Sequence, residues 1–189
     1  MGKMINKPWA MNVAKRIPGM LNKKEESWLF DTFRDSRSHL EIGVFTGKSM
    51  FSAASGFKNE ARIVGVDPMR KNNQGVGARW VREVQDATIG MIQRTTNATD
   101  VVMMFEDSYE ALPKLLEAGE RFDSVFIDAS HNYEETLFEI VHTTKMINPG
   151  GILAGHDYHN DFRGVIRAVK ETGRVRRVQG TRMWWRIIE

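Results

Sequence analysis

From Leu40 onward, short apolar runs alternate with stretches of helical periodicity, and this alternation constrains the fold more than any other feature of the 189-residue chain. Strands are read at residues 40–42, 62–66, 101–105, 123–127 and 152–154, and helices at 48–57, 78–93, 109–118, 133–146 and 162–171. Parallel strands joined by helices cross over right-handedly and place helices on both faces of the sheet, which makes the chain a doubly wound α/β protein. The ending breaks the rhythm. Residues 175–178 and 183–188 flank Gln179-Gly180-Thr181 with no helix between them, so they read as an antiparallel hairpin. The expected sheet has seven strands, mostly parallel.

An earlier helix of about four turns starts at Lys23, with Asn22 as N-cap and Glu25-Glu26 in its first turn. The first 22 residues read as irregular but partly apolar, through Trp9, Met11, Ile17, Met20 and Leu21. They form an extension that packs on the core or covers the site as a lid. No linker rich in Gly, Pro or Ser divides the chain, so residues 1–189 read as one domain with its core at 23–189. In the helix at 78–93 the apolar side is read as Trp80, Val81, Val84, Ala87 and Met91. The run 101–105 is apolar throughout, as expected of a strand covered on both faces. Met103, Met104, Met146 and Trp80 are expected in the core, and Trp184 and Trp185 on opposite faces of one strand.

Composition narrows the function. Apolar residues make up 41% and charged residues 27%, as in ordinary globular proteins. The chain has no cysteine, which excludes disulfides, thiolate metal sites and cysteine nucleophiles. No apolar run approaches the ~20 residues a membrane-spanning helix needs. The N-terminus is interrupted by Lys3, Lys7, Lys15 and Arg16, unlike a signal peptide, and Asn6 stands where a myristoylation signal has Ser or Thr. A cytoplasmic location is expected. A net charge of +3 is too small to imply nucleic acid, and the arginines near the C-terminus read mainly as a solvated face.

In open α/β sheets, ligands bind beyond the carboxyl ends of the strands. Every parallel strand of this chain ends at an acidic residue: Glu41, Asp67, Glu106-Asp107, Asp128 and Asp157. In the first loop, Gly43 and Gly47 permit a tight turn and a close backbone approach beside a helix N-terminus. The loop is neither the three-glycine dinucleotide fingerprint nor a P-loop, since Ile42 occupies the place of the P-loop's first glycine. Asp67 follows Gly47 by 20 residues, the spacing at which a carboxylate meets ribose hydroxyls in nucleotide sites.

Taken together, Leu40-Glu41-Ile42-Gly43, Gly47-Lys48-Ser49, Val64-Gly65-Val66-Asp67-Pro68, Asp128-Ala129-Ser130-His131-Asn132-Tyr133, Asn148-Pro149-Gly150-Gly151 and His156-Asp157-Tyr158 resemble the Rossmann-like S-adenosylmethionine-dependent methyltransferases. The branch resembled is that of the small-molecule O-methyltransferases, over residues 38–172. Ala129 departs from it, where the pattern has Gly. The resemblance implies that Glu41, Gly43 and Gly47 cradle the methionine part of S-adenosylmethionine. It also implies that Asp67 takes the ribose hydroxyls, that Asp107 and Ser108 meet the adenine edge, and that Asp128 sits beside the sulfonium. His131 stands where catechol-type relatives have a catalytic lysine, so Asp128 and His131 are the expected catalytic residues, with His131 a general base. His159 is a weaker candidate; His39 and His142 read as structural.

Some relatives hold Mg²⁺ at the positions matching Asp128, His156 and Asp157. An oxygen-seeking Mg²⁺ disfavours the imidazole that Mn²⁺ accepts, and the alternative is that His156 and Asp157 only hydrogen-bond cofactor, substrate or loop. The acceptor implied is a small molecule. So short a chain leaves an open site, or one completed by a second subunit in a homodimer. Two other classes stay open: a nucleic-acid methyltransferase using the arginine-rich end, and a cofactor-binding module without catalysis.

Overall fold

The computed structural model describes residues 3, 5–69 and 77–189. Its elements are α1 (Lys7–Ala14), α2 (Lys23–Thr32), β1 (Ser38–Ile42), α3 (Lys48–Gly56), β2 (Ala61–Val66), α4 (Ala78–Thr95) and β3 (Ala98–Met104). They continue with α5 (Ser108–Glu117), β4 (Phe122–Ile127), α6 (Tyr133–Thr144), β5 (Ile147–Gly155), α7 (Arg163–Glu171), β6 (Arg176–Arg177) and β7 (Trp184–Ile187). The seven strands lie in the order β3-β2-β1-β4-β5-β7-β6. Pairing is parallel from β3 to β5, and β7 runs antiparallel to both β5 and β6. The doubly wound sheet and terminal hairpin are therefore as expected, with β7 inserted between β5 and the edge.

Two apolar layers sandwich the sheet. On one face, Leu29 of α2 and Phe33 at its C-cap, Met50 and Phe51 of α3 and Ile92 of α4 pack on Ile63 and Phe126. On the other, Ala111 and Leu112 of α5, Ile140 of α6 and Val165 of α7 pack on Leu40, Val64 and Val125. The period of two along each strand delivers neighbouring residues to opposite layers. Trp184 and Trp185 divide in this way, one to each layer. The order reverses between β1 and β4, and a ligand crevice is expected beyond their carboxyl ends at this switch point.

Four expectations are corrected. The N-terminal extension is not irregular: residues 7–14 form a helix, because the Asn6 side chain caps the Trp9 amide and Pro8 falls in the first turn, where its missing N–H costs nothing. The extension does pack, with Ala10, Ala14, Ile17 and Leu21 buried. The strand read at 101–105 is an edge strand, with Val102 and Phe105 about 40% exposed, and the Arg82 guanidinium lies 3.7 Å from the Phe105 ring centroid. In α4, Trp80 and Ala87 face outward; the buried residues are Val81, Gln85, Thr88 and Ile92. Polar Gln85 holds a buried position because its side-chain amide donates to the Phe45 carbonyl at 2.8 Å; of the expected apolar side, Val81 is buried and Met91 packs on the core, while Trp80 and Ala87 do not. Finally, β6 is only two residues long.

Candidate active site

Backbone geometry holds the loops after β1 and β4 together. Gly43, at the end of β1, has φ +83°, and a Cβ there would lie 2.2 Å from the Asp128 carbonyl oxygen after β4. Only glycine allows that approach. Gly47, at φ +84°, starts α3 without a side chain of its own to cap it, and the Glu41 carboxylate instead accepts from the Met50 amide in the helix's first turn. Asp67 ties β2 to this turn: one carboxylate oxygen accepts from the Phe45 amide at 2.7 Å and the other from Met69 at 2.8 Å. Glu41 lies beneath the turn, fully buried, accepting from the Ser49 hydroxyl at 2.8 Å. Its second oxygen faces His39 Nε2 at 3.6 Å, and burial raises its pKa. His39, bonded to Ser124 at 2.8 Å, is the structural histidine the sequence implies.

A cavity of about 720 Å³ opens at this point, lined in part by Gly43, Phe45, Lys48, Asp128, His131, His156, Asp157 and Arg182. Gly43, Asp128, His131, His156 and Asp157 thus meet in one place. Glu41, Gly47 and Asp67 support the loop from behind and are not among the lining residues. Asp107 caps α5 through the Tyr109 amide, and Ser108 beside it is buried against Glu139; neither lines this cavity.

The chemistry of the cavity centres on two histidines among three carboxylates, Glu25, Asp128 and Asp157. His131 Nε2 lies 2.7 Å from Asp157 Oδ2, and His156 Nδ1 lies 3.2 Å from Asp157 Oδ1 and 3.7 Å from Asp128. His156 Nε2 is 3.1 Å from Glu25 Oε1. Burial alone would pull the His156 pKa down, but the bonds to Asp157 and Glu25 and the nearby Asp128 outweigh it and raise the value to about 10. With both nitrogens turned to carboxylates, the surroundings favour the charged form of the ring. Asp157 is held well below the ordinary carboxylate range: burial opposes this, and the bonds from His131 and His156 overcome it. Asp128 moves the other way, to about 7, because burial and the charges of Asp157 and Glu41 disfavour its ionised form. His131 is raised, chiefly by its bond to Asp157.

The donor groups bear on a metal. Asp128, His131 and Asp157 bring one ligand atom each within 4.8 Å of one another. Two carboxylate oxygens and one imidazole nitrogen fit a borderline ion such as Mn²⁺ better than Mg²⁺. His156, offered for that set by the sequence, lies outside this cluster and turns Nδ1 toward Asp157 and Nε2 toward Glu25.

Three residues of the site were missed by sequence reasoning. Glu25 is buried and accepts from His156, from the Arg182 amide at 3.1 Å and, through its other oxygen, from the Asn22 amide at 2.8 Å. Its place in the α2 capping box already explained an acidic residue there, which hid its second role. Lys48 pairs with buried Glu26 at 3.0 Å, and Arg182 enters from the β6–β7 turn. His159 borders the cavity but pairs with Asp161 at 3.0 Å, away from the other histidines' network.

Known proteins are similar to this chain in sequence and in fold. "Probable caffeoyl-CoA O-methyltransferase 2" of Dictyostelium discoideum is 28% identical over 148 residues, covering 76% of this chain and 57% of that protein. The caffeoyl-CoA O-methyltransferase of Stellaria longipes is 26% identical over 153 residues, covering 77% and 54%. The chain thus spans little more than half the length of the curated relatives it matches. In three dimensions it is similar to the O-methyltransferase TomG of Streptomyces achromogenes, solved with SAM (TM-score 0.67, 17% identity, 98% of this chain and 92% of that one). It is also similar to an O-methyltransferase of Bacillus cereus solved with SAH (TM-score 0.66, 15% identity, 97% and 90%). These similarities show a shared fold. A family model described as "Methyltransferase domain" matches residues 40–158, more than half of the sequence, and the chain belongs to that methyltransferase-domain family.

Proposed function

We propose that this protein is an S-adenosylmethionine-dependent methyltransferase acting on a hydroxyl group of a small molecule. The observation that carries the reading is the His131–Asp157 pair, set at 2.7 Å in the cavity that opens where Gly43 and Asp128 meet. Gly43, Gly47 and the α3 N-terminus suit the methionine end of the cofactor, with Glu41 fixing the loop from below. Asp67 suits the ribose, Asp107 and Ser108 the adenine edge, and Asp128 the neighbourhood of the sulfonium.

The reaction is an in-line displacement: the S–CH₃ bond breaks, an O–CH₃ bond forms, and the sulfonium leaves as a neutral thioether. The acceptor hydroxyl gives up its proton to His131. Asp157 engages Nε2, so Nδ1 is the nitrogen that takes it. Asp157 both orients the ring and stabilises the imidazolium that results. Holding nucleophile and methyl group at about 3 Å inside a walled cavity can supply several kcal/mol of the barrier reduction. Alternatively, Asp128, His131 and Asp157 would hold a divalent ion; bound there, it would supply Lewis acidity toward the acceptor oxygen in place of the histidine base, because a ligated imidazole has no second lone pair for the proton.

The test is release of S-adenosylhomocysteine from S-adenosylmethionine across a panel of phenols and alcohols, with and without chelator. Turnover supports the reading, and its loss with chelator shows that the ion is needed. Cofactor binding without turnover would mark a non-catalytic module. Methyl incorporation only into RNA or DNA, with steep salt dependence, would mark a nucleic-acid enzyme.

A further inference from the structure

We propose that the acceptor carries an acidic group, a carboxylate or a phosphate, and that Arg182 receives it; this deepens the O-methyltransferase reading and rests on it. Arg182 lies in the turn between β6 and β7 and lines the same cavity as Asp128 and His131. Its peptide groups are anchored on both sides: the amide donates to Glu25 Oε1 at 3.1 Å and the carbonyl accepts from the Tyr158 amide at 2.8 Å. The backbone is fixed while the side chain, 44% exposed, reaches into the opening.

The guanidinium has donors to spare. Its nearest carboxylate oxygens are Asp161 Oδ2 at 3.5 Å and Asp157 Oδ1 at 3.9 Å, both longer than the 2.7–2.9 Å of a charge-assisted hydrogen bond. Asp157 is already committed to His131 and His156, and Asp161 is 61% exposed. A ligand oxyanion at full hydrogen-bonding distance outcompetes both. The planar five-donor fork suits a carboxylate or phosphate better than any neutral group.

Position supplies the second argument. The guanidinium lies 5.8 Å from the Phe162 ring centroid, and the Phe162 ring lies 4.3 Å from that of His131. Asp157 faces His131 with one oxygen and Arg182 with the other, and the Phe162 ring neighbours both, so base and cation border the cavity close together, within reach of one small hydroxylated acid. A hydroxyl presented to His131 leaves the far end of such a molecule at Arg182. Lys24 adds a second cation at the same turn, its Nζ 3.0 Å from where a Cβ on Gly180 would stand.

The test is calorimetric binding to protein saturated with S-adenosylhomocysteine, using matched pairs: 3,4-dihydroxybenzoate against its methyl ester, and 3-hydroxybenzyl phosphate against 3-hydroxybenzyl alcohol. The expected result is that at least one acid binds tenfold or more tighter than its neutral partner, with the ratio falling to about one in Arg182→Gln and partly restored in Arg182→Lys. Preference in the carboxylate pair alone, or in the phosphate pair alone, identifies which oxyanion the site takes. Neutral partners binding as tightly as the acids, an acid preference that survives Arg182→Gln, or no binding by any pair member would each overturn the proposal. Failure of S-adenosylhomocysteine itself to bind would instead remove the cofactor reading, and this inference with it.

Discussion

Glu25 and His156 are 131 residues apart in sequence and meet at 3.1 Å in the interior, one from the first turn of α2 and the other from the end of β5. The contact fastens the N-terminal helices to the catalytic strands by charge as well as by apolar packing. Removing one partner of a buried ion pair leaves the other uncompensated. Glu25→Gln keeps the capping box, which accepts Gln, but loses the charge facing His156. It should cost on the order of 2 kcal/mol at pH 7, measured from the denaturant midpoint. The sign of the pH dependence follows from His156, whose folded pKa of about 10 lies above its ordinary 6.5. Its stabilisation is complete below pH 6.5 and lost as pH rises through 10, so the gap between variant and parent should close over that window.

The His131–Asp157 pair makes a kinetic prediction. A general base works in its neutral form, and Asp157 raises the pKa of His131. Activity should therefore fall as pH drops through an inflection above 6.5. Asp157→Asn should move that inflection downward and lower kcat. His131→Gln should cost 10²–10⁴-fold in kcat, the usual share of a general base, with little change in cofactor affinity. A loss under tenfold would show that His131 does not carry the proton.

Glu139 on α6 gives a stability prediction independent of catalysis. It is buried, one carboxylate oxygen has no hydrogen-bond partner among the described residues, and burial raises its pKa to about 8. The folded protein therefore prefers the protonated acid, and stability from this group is lost as pH rises from about 4.5 through 8. Glu139→Gln supplies a neutral isostere that can still bond Ser108. The melting temperature should rise by several degrees at pH 8 and show no gain at pH 4. A gain of equal size at both pH values would contradict the assignment.

The strand–helix alternation was enough to read the sheet and its final hairpin, because those depend on local apolar period and on the missing helix around Gly180. The buried face of α4 was only partly legible: Val81 and Met91 lie on it as expected, but Gln85 and Thr88, polar residues, are buried there too, and no apolar pattern reveals a side chain that bonds a distant carbonyl. The edge position of β3 was illegible for a related reason: strand order is set by crossovers, not by composition. At the site, Gly43, Asp128, His131 and Asp157 were recognisable from their place after strands. Glu25 and Arg182 were not, since each comes from a segment far away in sequence and has a sufficient local explanation of its own.

The central claim is that the crevice between β1 and β4 holds an adenosyl sulfur cofactor. Thermal unfolding with S-adenosylhomocysteine, against NAD as control, tests it most directly. The account predicts stabilisation of about 2.7 kcal/mol at a hundredfold excess over Kd, no effect of NAD, and loss of the shift in Asp67→Ala. An unchanged melting temperature at saturating S-adenosylhomocysteine, or an equal shift with NAD, would contradict it.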